Sequence, residues 1–157
     1  MSADDLVLAQ AMLPADANAH GNVHGGTLMK LADSAGGTCA IRHTRRPVVT
    51  VVVDSMSFEQ PVYVGNVVLL HARVTWTGHT SLETEVLIEA EDLLTGSVRH
   101  ISRSYFVYVP IDDQGRPVPV PRLSVSSPEA RQRWEEAEQR RAGRLERRKQ
   151  AQVRAQI

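Results

Sequence analysis

Between Asn22 and Ala35 the chain reads NVHGGTLMKLADSA. An amide, an imidazole and two glycines (Asn22, His24, Gly25 and Gly26) stand directly before a segment with helical apolar spacing. One carboxylate, Asp33, sits inside that segment among small and apolar residues. On a helix that faces a sheet, a buried carboxylate costs free energy unless it is paired or used. Used, it would serve as a general base toward water or as a nucleophile. The first-turn N–H groups of a helix have no intrahelical partners and are ready donors to a developing oxyanion. Glycine lets a substrate approach that backbone closely, which makes Gly25 and Gly26 candidates for an oxyanion hole. From the residues alone, Asp33 reads equally as a surface aspartate on a polar face. Asn22 also fits a turn residue, and His24 an ordinary loop histidine.

Other chemistries find less support. There is no G-x-S-x-G elbow for a serine nucleophile. A single cysteine, Cys39, gives neither an intrachain disulfide nor a thiolate cluster. His43, His71, His79 and His100 lack the close spacing of a metal site, so no metal is expected. No P-loop or Rossmann glycine pattern is present, and no aromatic and basic strand pattern stacks single-stranded nucleic acid.

The elements that must position these groups follow from the pattern. Leu6–Met12 can form a first strand closed by Pro14, and 15–26 reads as a loop. A helix is expected from about Thr27 to His43, with Leu28, Leu31, Ala35 and Cys39 on one apolar stripe. Its adjacent glycines, Gly36 and Gly37, cost about 1 kcal/mol each relative to alanine. They make sense where a sheet or a partner subunit approaches closely. After Pro47 the pattern turns to strands over 48–59, 67–77, 81–91 and 98–109. Leu82, Val86 and Ile88 face one way in the third of these, and Glu83, Glu85 and Glu89 the other. Strands this long should curve, and one central helix is the obvious thing to wrap. An α+β domain of about five antiparallel strands results.

The chain's 157 residues suit one modest domain. Lys plus Arg and Asp plus Glu number 18 each, which argues against a general polyanion binder. Residues 129–157 nevertheless carry nine basic residues against five acidic ones. With Pro128 at a helix start and Trp134, Ala137 and Leu145 as its thin apolar content, this tail is expected to be a solvated, partly frayed helix. A nucleic-acid arm or a partner helix is the functional alternative. Acids at Asp4 and Asp5 do not fit a secretory signal, and the apolar runs are too short to span a membrane. A soluble cytoplasmic protein is expected.

Residues 14–43, PADANAHGNVHGGTLMKLADSAGGTCAIRH, resemble the signature of the hot-dog-fold acyl-coenzyme A thioesterases, in the cytosolic broad-range acyl-CoA hydrolase branch. The likeness continues through VVTVVVDSMSFEQPVYVGNVV at 48–68, TGHTSLETEVLIEAED at 77–92 and SYFVYVPIDDQGRPVPVP at 104–121. The resemblance implies a hot-dog domain over residues 1–123, a long central helix wrapped by a curved antiparallel sheet of five or six strands. Residues 124–157, the charged tail, fall outside it. It also implies dimers with sheets joined edge to edge, assembled into hexamers as trimers of dimers. The implied activity is hydrolysis of acyl-CoA to fatty acid and coenzyme A, without a cofactor beyond the coenzyme A of substrate and product.

The family's catalytic acid falls on Asp33. Asn22 matches the asparagine that two-domain relatives carry in one half, where other branches have aspartate, and its amide would position water or donate to the thioester oxygen. The T-G-H-T-S turn marks Gly78, Thr80 and Ser81 as coenzyme A contacts. Arg99 and Arg103, on the neighbouring strand, are candidate phosphate ligands or simply exposed edge arginines. Arg42, Arg45 and Arg46 form a weaker basic cluster where a helix end favours cations. Asp33 lies about seven residues beyond Gly26, roughly 10 Å along a helix, so the expected site joins Asp33 of one subunit to the Asn22–Gly26 loop of another. A non-catalytic acyl-CoA sensor or structural subunit is the alternative, since fold alone does not choose. A dehydratase would need a histidine paired with an acid.

Overall fold

The computed structural model describes residues 5–155; residues 1–4, with the acid Asp4, and residues 156–157, the end of the tail, lie outside the described residues. Along the chain come β1 (Asp5–Ala11), a 3-10 turn (Pro14–Asp16), α1 (Gly25–Thr44), β2 (Val48–Asp54), β3 (Val67–Thr77), β4 (Leu82–Glu91), β5 (Val98–Pro110) and α2 (Pro128–Arg154). The strands form one antiparallel sheet in the order β1-β3-β4-β5-β2. The first strand, the helix and the three long strands lie where the residue pattern puts them. β2 is shorter than expected, because Ser55 adopts φ 25° and breaks the extended run that the sequence carries on to Glu59.

α1 lies across the inner face of the sheet. Leu28, Ala32, Ala35 and Cys39, all buried, pack on Leu70, Val86, Ile88 and Phe106. Burying a leucine or isoleucine of this kind contributes about 1.5–3 kcal/mol. The pairing registers shift at Thr50/Val52, Val74/Trp76 and Ile88/Glu89. Such bulges bend and twist a strand, and here they curve the sheet around the helix. Among the described residues no helix is long and apolar enough to cross a membrane.

The tail departs from expectation. α2 is a continuous helix, capped by Ser127 Oγ, which accepts from the Ala130 N–H, and it docks on the outer face of the sheet. Trp134 lies against Trp76 with ring centroids 6.1 Å apart, and Ala137 is fully buried. The central contact is ionic. Glu83, fully buried on β4, accepts from Arg140 Nη2 at 2.7 Å, Arg144 Nη1 at 2.8 Å and Thr75 Oγ1 at 2.8 Å. Arg144 also reaches Asp54 at 3.0 Å, and Arg140 stacks over Tyr105 at 3.6 Å. A buried carboxylate is tolerated only when paired in this way. The thin apolar stripe was a poor guide because the helix docks largely through arginine, whose stem and planar head both pack.

Candidate active site

Asp33 is half-buried in the second turn pair of α1, under the edge of the sheet formed by β5 and β2. Two hydroxyls converge on one of its oxygens. Thr50 Oγ1 donates to Oδ1 at 2.8 Å, and the Tyr108 hydroxyl lies 3.0 Å from Oδ1 and 2.9 Å from the Asp33 carbonyl oxygen. Oδ2 has no partner among the described residues, so it is the oxygen available to water or substrate. Burial, then the neighbouring Asp33 charge, pushes the Tyr108 hydroxyl well above the usual phenol range. It therefore stays protonated and acts as a donor.

The double glycine of α1 makes room for this tyrosine. A Cβ on Gly36 would lie 2.7 Å from the Tyr108 hydroxyl and 2.8 Å from Thr84 Oγ1, while one on Gly37 would meet the Tyr108 ring at 3.6 Å. Within the chain it is the sheet that makes the close approach. Tyr108 and Thr50 escaped the sequence reading. Their signal was available: both sit at inward positions of paired strands, opposite the two glycines.

The loop before α1 is held rigidly. Asn18 N–H donates to the Asn22 carbonyl at 2.7 Å, Val23 N–H to the Val62 carbonyl at 2.7 Å, and His24 N–H to the Asp16 carbonyl at 2.7 Å. His24 is the helix cap: its Nδ1 accepts from Gly26 N–H at 3.0 Å. That bond requires a neutral ring with its proton on Nε2. It also occupies the Gly26 amide, so of the two candidate oxyanion donors only the Gly25 N–H lacks a partner among the described residues. A Cβ on Gly25 would touch Phe58 at 3.4 Å, and Gly25 thus lies beside an exposed aromatic. The Asn22 side-chain amide has no partner among the described residues and stands at the bridge to Tyr63.

Asp33 and the Asn22–Gly25 loop are not brought together within one chain. Asn22 adjoins Tyr63, at the end of the molecule where Arg99 bonds the Pro61 carbonyl, whereas Asp33 lies under Tyr108, toward the β3–β4 turn. The eight residues from Gly25 to Asp33 correspond to about 12 Å of helix.

The expected coenzyme A contacts also separate. Gly78, Thr80 and Ser81 form the β3–β4 turn, closed by Gly78 N–H to the Ser81 carbonyl at 2.8 Å. Gly78 is required by packing as well, since a Cβ there would lie 2.4 Å from Trp76 Cη2. Leu82 pairs with Tyr108 and Ala90 with Arg99, so Arg99 lies about 26 Å of strand from that turn. Its guanidinium is committed to the Pro61 carbonyl at 2.9 Å and to Asn66 Oδ1 at 3.1 Å. Arg103 pairs with Leu87, part-way along, and lies exposed 3.9 Å from Glu85. Neither arginine joins the turn within one chain.

A model of the thioesterase superfamily matches residues 20–97. The cytosolic acyl coenzyme A thioester hydrolase of Rattus norvegicus is 36% identical over 129 residues, 81% of this chain and 34% of that protein. The chain thus spans about a third of the length of that mammalian relative. An uncharacterized acyl-CoA thioester hydrolase of Bacillus subtilis is 37% identical over 118 residues, 75% of this chain and 69% of that one. Among solved structures, an apo hexameric acyl-CoA thioesterase superposes with a TM-score of 0.88 at 31% identity, covering 92% of each chain. An acyl-CoA hydrolase of Staphylococcus aureus, solved with butyryl coenzyme A, coenzyme A and coenzyme A disulfide, gives 0.88 at 29% identity, covering 98% of this chain and 93% of that one. That coverage takes in α2, so the tail is shared with a known structure although the sequence resemblance stops before it.

Proposed function

The chain belongs to the thioesterase superfamily, and from that premise we propose that it hydrolyses acyl-CoA thioesters to a fatty acid and coenzyme A, with Asp33 as the acting carboxylate. The observation that carries this reading is the arrangement at Asp33. Two hydroxyl donors fix Oδ1 and orient the group, while Oδ2 is left to act. In the water route, Oδ2 takes a proton as the water oxygen bonds to the thioester carbon. The oxyanion forms against the Gly25 N–H and the Asn22 amide. Collapse breaks the carbon–sulfur bond, and the proton passes from Asp33 to the departing sulfur. In the alternative route Oδ2 attacks the carbon directly, and the carbon–sulfur bond breaks to release coenzyme A as the thiolate. Water then opens the anhydride to the fatty acid and the Asp33 carboxylate, its released proton balancing the thiolate. Neither route draws on a metal or an organic cofactor.

The site would be completed by a second copy. β2 is one of the two edge strands of the sheet, and its Val49, Val51 and Val53 are 42–50% exposed. An exposed apolar edge of this kind invites pairing. Pairing β2 to β2 about a two-fold axis sets the α1 helices antiparallel, so that Asp33 of one subunit faces the Asn22–Gly25 loop of its partner. Hexamers, as in the apo hexameric neighbour, would follow as trimers of such dimers. The cytosolic naming of the rat relative fits a cytoplasmic enzyme.

Release of free coenzyme A from acyl-CoAs of increasing chain length, with 3-hydroxyacyl-CoA and enoyl-CoA as controls, tests the function. Binding without release would favour a sensor. Complementation tests the pairing: Asn22→Ala and Asp33→Ala chains, unfolded and refolded together, should recover about a quarter of the original sites, because half the dimers are mixed and each has one intact site. Recovery no greater than the average of the separately refolded variants, despite exchange, would refute it.

A further inference from the structure

On the outer face of the sheet, α2 overhangs a groove of about 490 Å³ lined by Val51, Val53, Trp76, Ser81 and Val107 from the sheet and by Arg141, Arg144, Arg147 and Arg148 from the helix. Its size is that of a small-molecule site, and apolar walls with a few directed polar groups are usual there. The charge is unbalanced. Arg144 is neutralised by Asp54 and Glu83, and Arg147 reaches Asp54 at 3.3 Å. Arg141 lies over the Trp76 ring at 5.2 Å with no carboxylate partner among the described residues, and Arg148 has none either. Four arginines and one carboxylate, Asp54, line the groove, and the buried Glu83 that Arg144 also reaches is shared with Arg140. Planar guanidinium groups on a rigid helix favour one ligand chemistry above others, the phosphate oxyanion.

The groove also adjoins the reaction centre. Ser81 lines it, and the next residue, Leu82, pairs with Tyr108, whose hydroxyl touches Asp33 on the inner face. A ligand bent around the β3–β4 turn would have its phosphates on the outside and its reactive end at Asp33. We propose that this groove is the subsite for the phosphorylated nucleotide end of the acyl-CoA substrate, with Arg141 and Arg148 as its principal phosphate ligands and Ser81 as a hydrogen-bonding partner. The proposal rests on the thioesterase reading and replaces Arg99 and Arg103 with residues of α2. It gives the helix a role beyond packing: the same face that anchors through Glu83 presents its remaining arginines to substrate.

The test uses the full chain and two readouts. Calorimetry with adenosine 3′,5′-bisphosphate, and with adenosine as control, measures the subsite without turnover. Arg141→Gln/Arg148→Gln should weaken bisphosphate binding at least tenfold and leave adenosine unchanged. Both substitutions are at exposed positions outside the Glu83 cluster, and the single Arg148→Gln variant, expected to lose part of the affinity, guards against misfolding of the double variant. In hydrolysis, KM for acyl-CoA should rise about tenfold with kcat held, while kcat/KM for the same acyl group on N-acetylcysteamine should not change. Equal bisphosphate affinity in wild type and variants overturns the proposal, as does an acyl-CoA KM that does not move. Bisphosphate binding that depends on these arginines in a protein that hydrolyses no thioester would sink the thioesterase reading and leave the anion site standing.

Discussion

Replacing Tyr108 with phenylalanine removes one hydroxyl from the site and little else. The ring would keep its place, because it stacks on Phe106 with centroids 6.2 Å apart and lies in the slot opened by Gly36 and Gly37. What is lost is the donor 3.0 Å from Asp33 Oδ1. A hydrogen bond to a charged group contributes about 1.5–3 kcal/mol. Here the single proton is shared with the Asp33 carbonyl at 2.9 Å, which argues for the lower end. About 1.5 kcal/mol corresponds to roughly a tenfold fall in kcat. KM should stay within about twofold, since both bonds of the hydroxyl go to Asp33. Steady-state release of coenzyme A, followed with a thiol reagent, measures both constants, and a thermal melt reports the fold. A kcat within twofold of wild type would refute the positioning role. A fall in Tm with kcat and KM both disturbed would make Tyr108 a packing residue only.

Gly36→Ala should destabilise the protein by about 1–2 kcal/mol and lower kcat, because the gain in helix propensity is smaller than the cost of forcing Tyr108 and Thr84 aside; a thermal melt and the same assay check this. Tyr108 and Tyr105 are both held above the usual phenol value by burial, with Asp33 and Glu85 respectively adding to the effect. The unfolded chain then loses these protons above about pH 10 while the folded one keeps the Tyr108 proton. Stability should therefore be intact below pH 10 and fall above it by about 1.4 kcal/mol per pH unit for Tyr108, with Tyr105 adding in the same direction. Urea titrations from pH 9 to 11 should show that slope, reduced in Tyr108→Phe. Arg140→Gln leaves buried Glu83 with one of its two arginines and should cost about 3 kcal/mol in urea denaturation, with little dependence on salt. Deleting residues 129–157 should likewise lower Tm, since it uncovers Trp76 and removes both arginine partners of Glu83.

Much of the fold was legible because its signals are local. Period-two alternation at Val68, Leu70 and Ala72, the prolines at 47 and 110, and the small stripe of α1 each state their element without reference to the rest. Asp33 stood out for the same reason, as a charge on a small and apolar helix. What could not be read were relations across the sheet. The Tyr108 and Thr50 contacts depend on the β5–β2 register, which a bulge at Val51 resets. The three glutamates of β4 looked like a solvated face, yet Glu83 is fully buried because a helix more than forty residues later brings two arginines to it. Arg99 looked like a phosphate ligand until its donors were found on the Pro61 carbonyl and Asn66, and Gly26 like an oxyanion donor until His24 took its amide.

The central claim is that Asp33 carries out thioester hydrolysis in this chain. Release of free coenzyme A at saturating acyl-CoA, compared between the wild-type protein and Asp33→Asn, tests it most directly. The asparagine keeps the shape and still accepts from Thr50 and Tyr108, so fold and assembly should persist by circular dichroism and light scattering. The account predicts clear turnover by wild type and loss of most of it in the variant. Turnover by folded, assembled Asp33→Asn within threefold of wild type would contradict it.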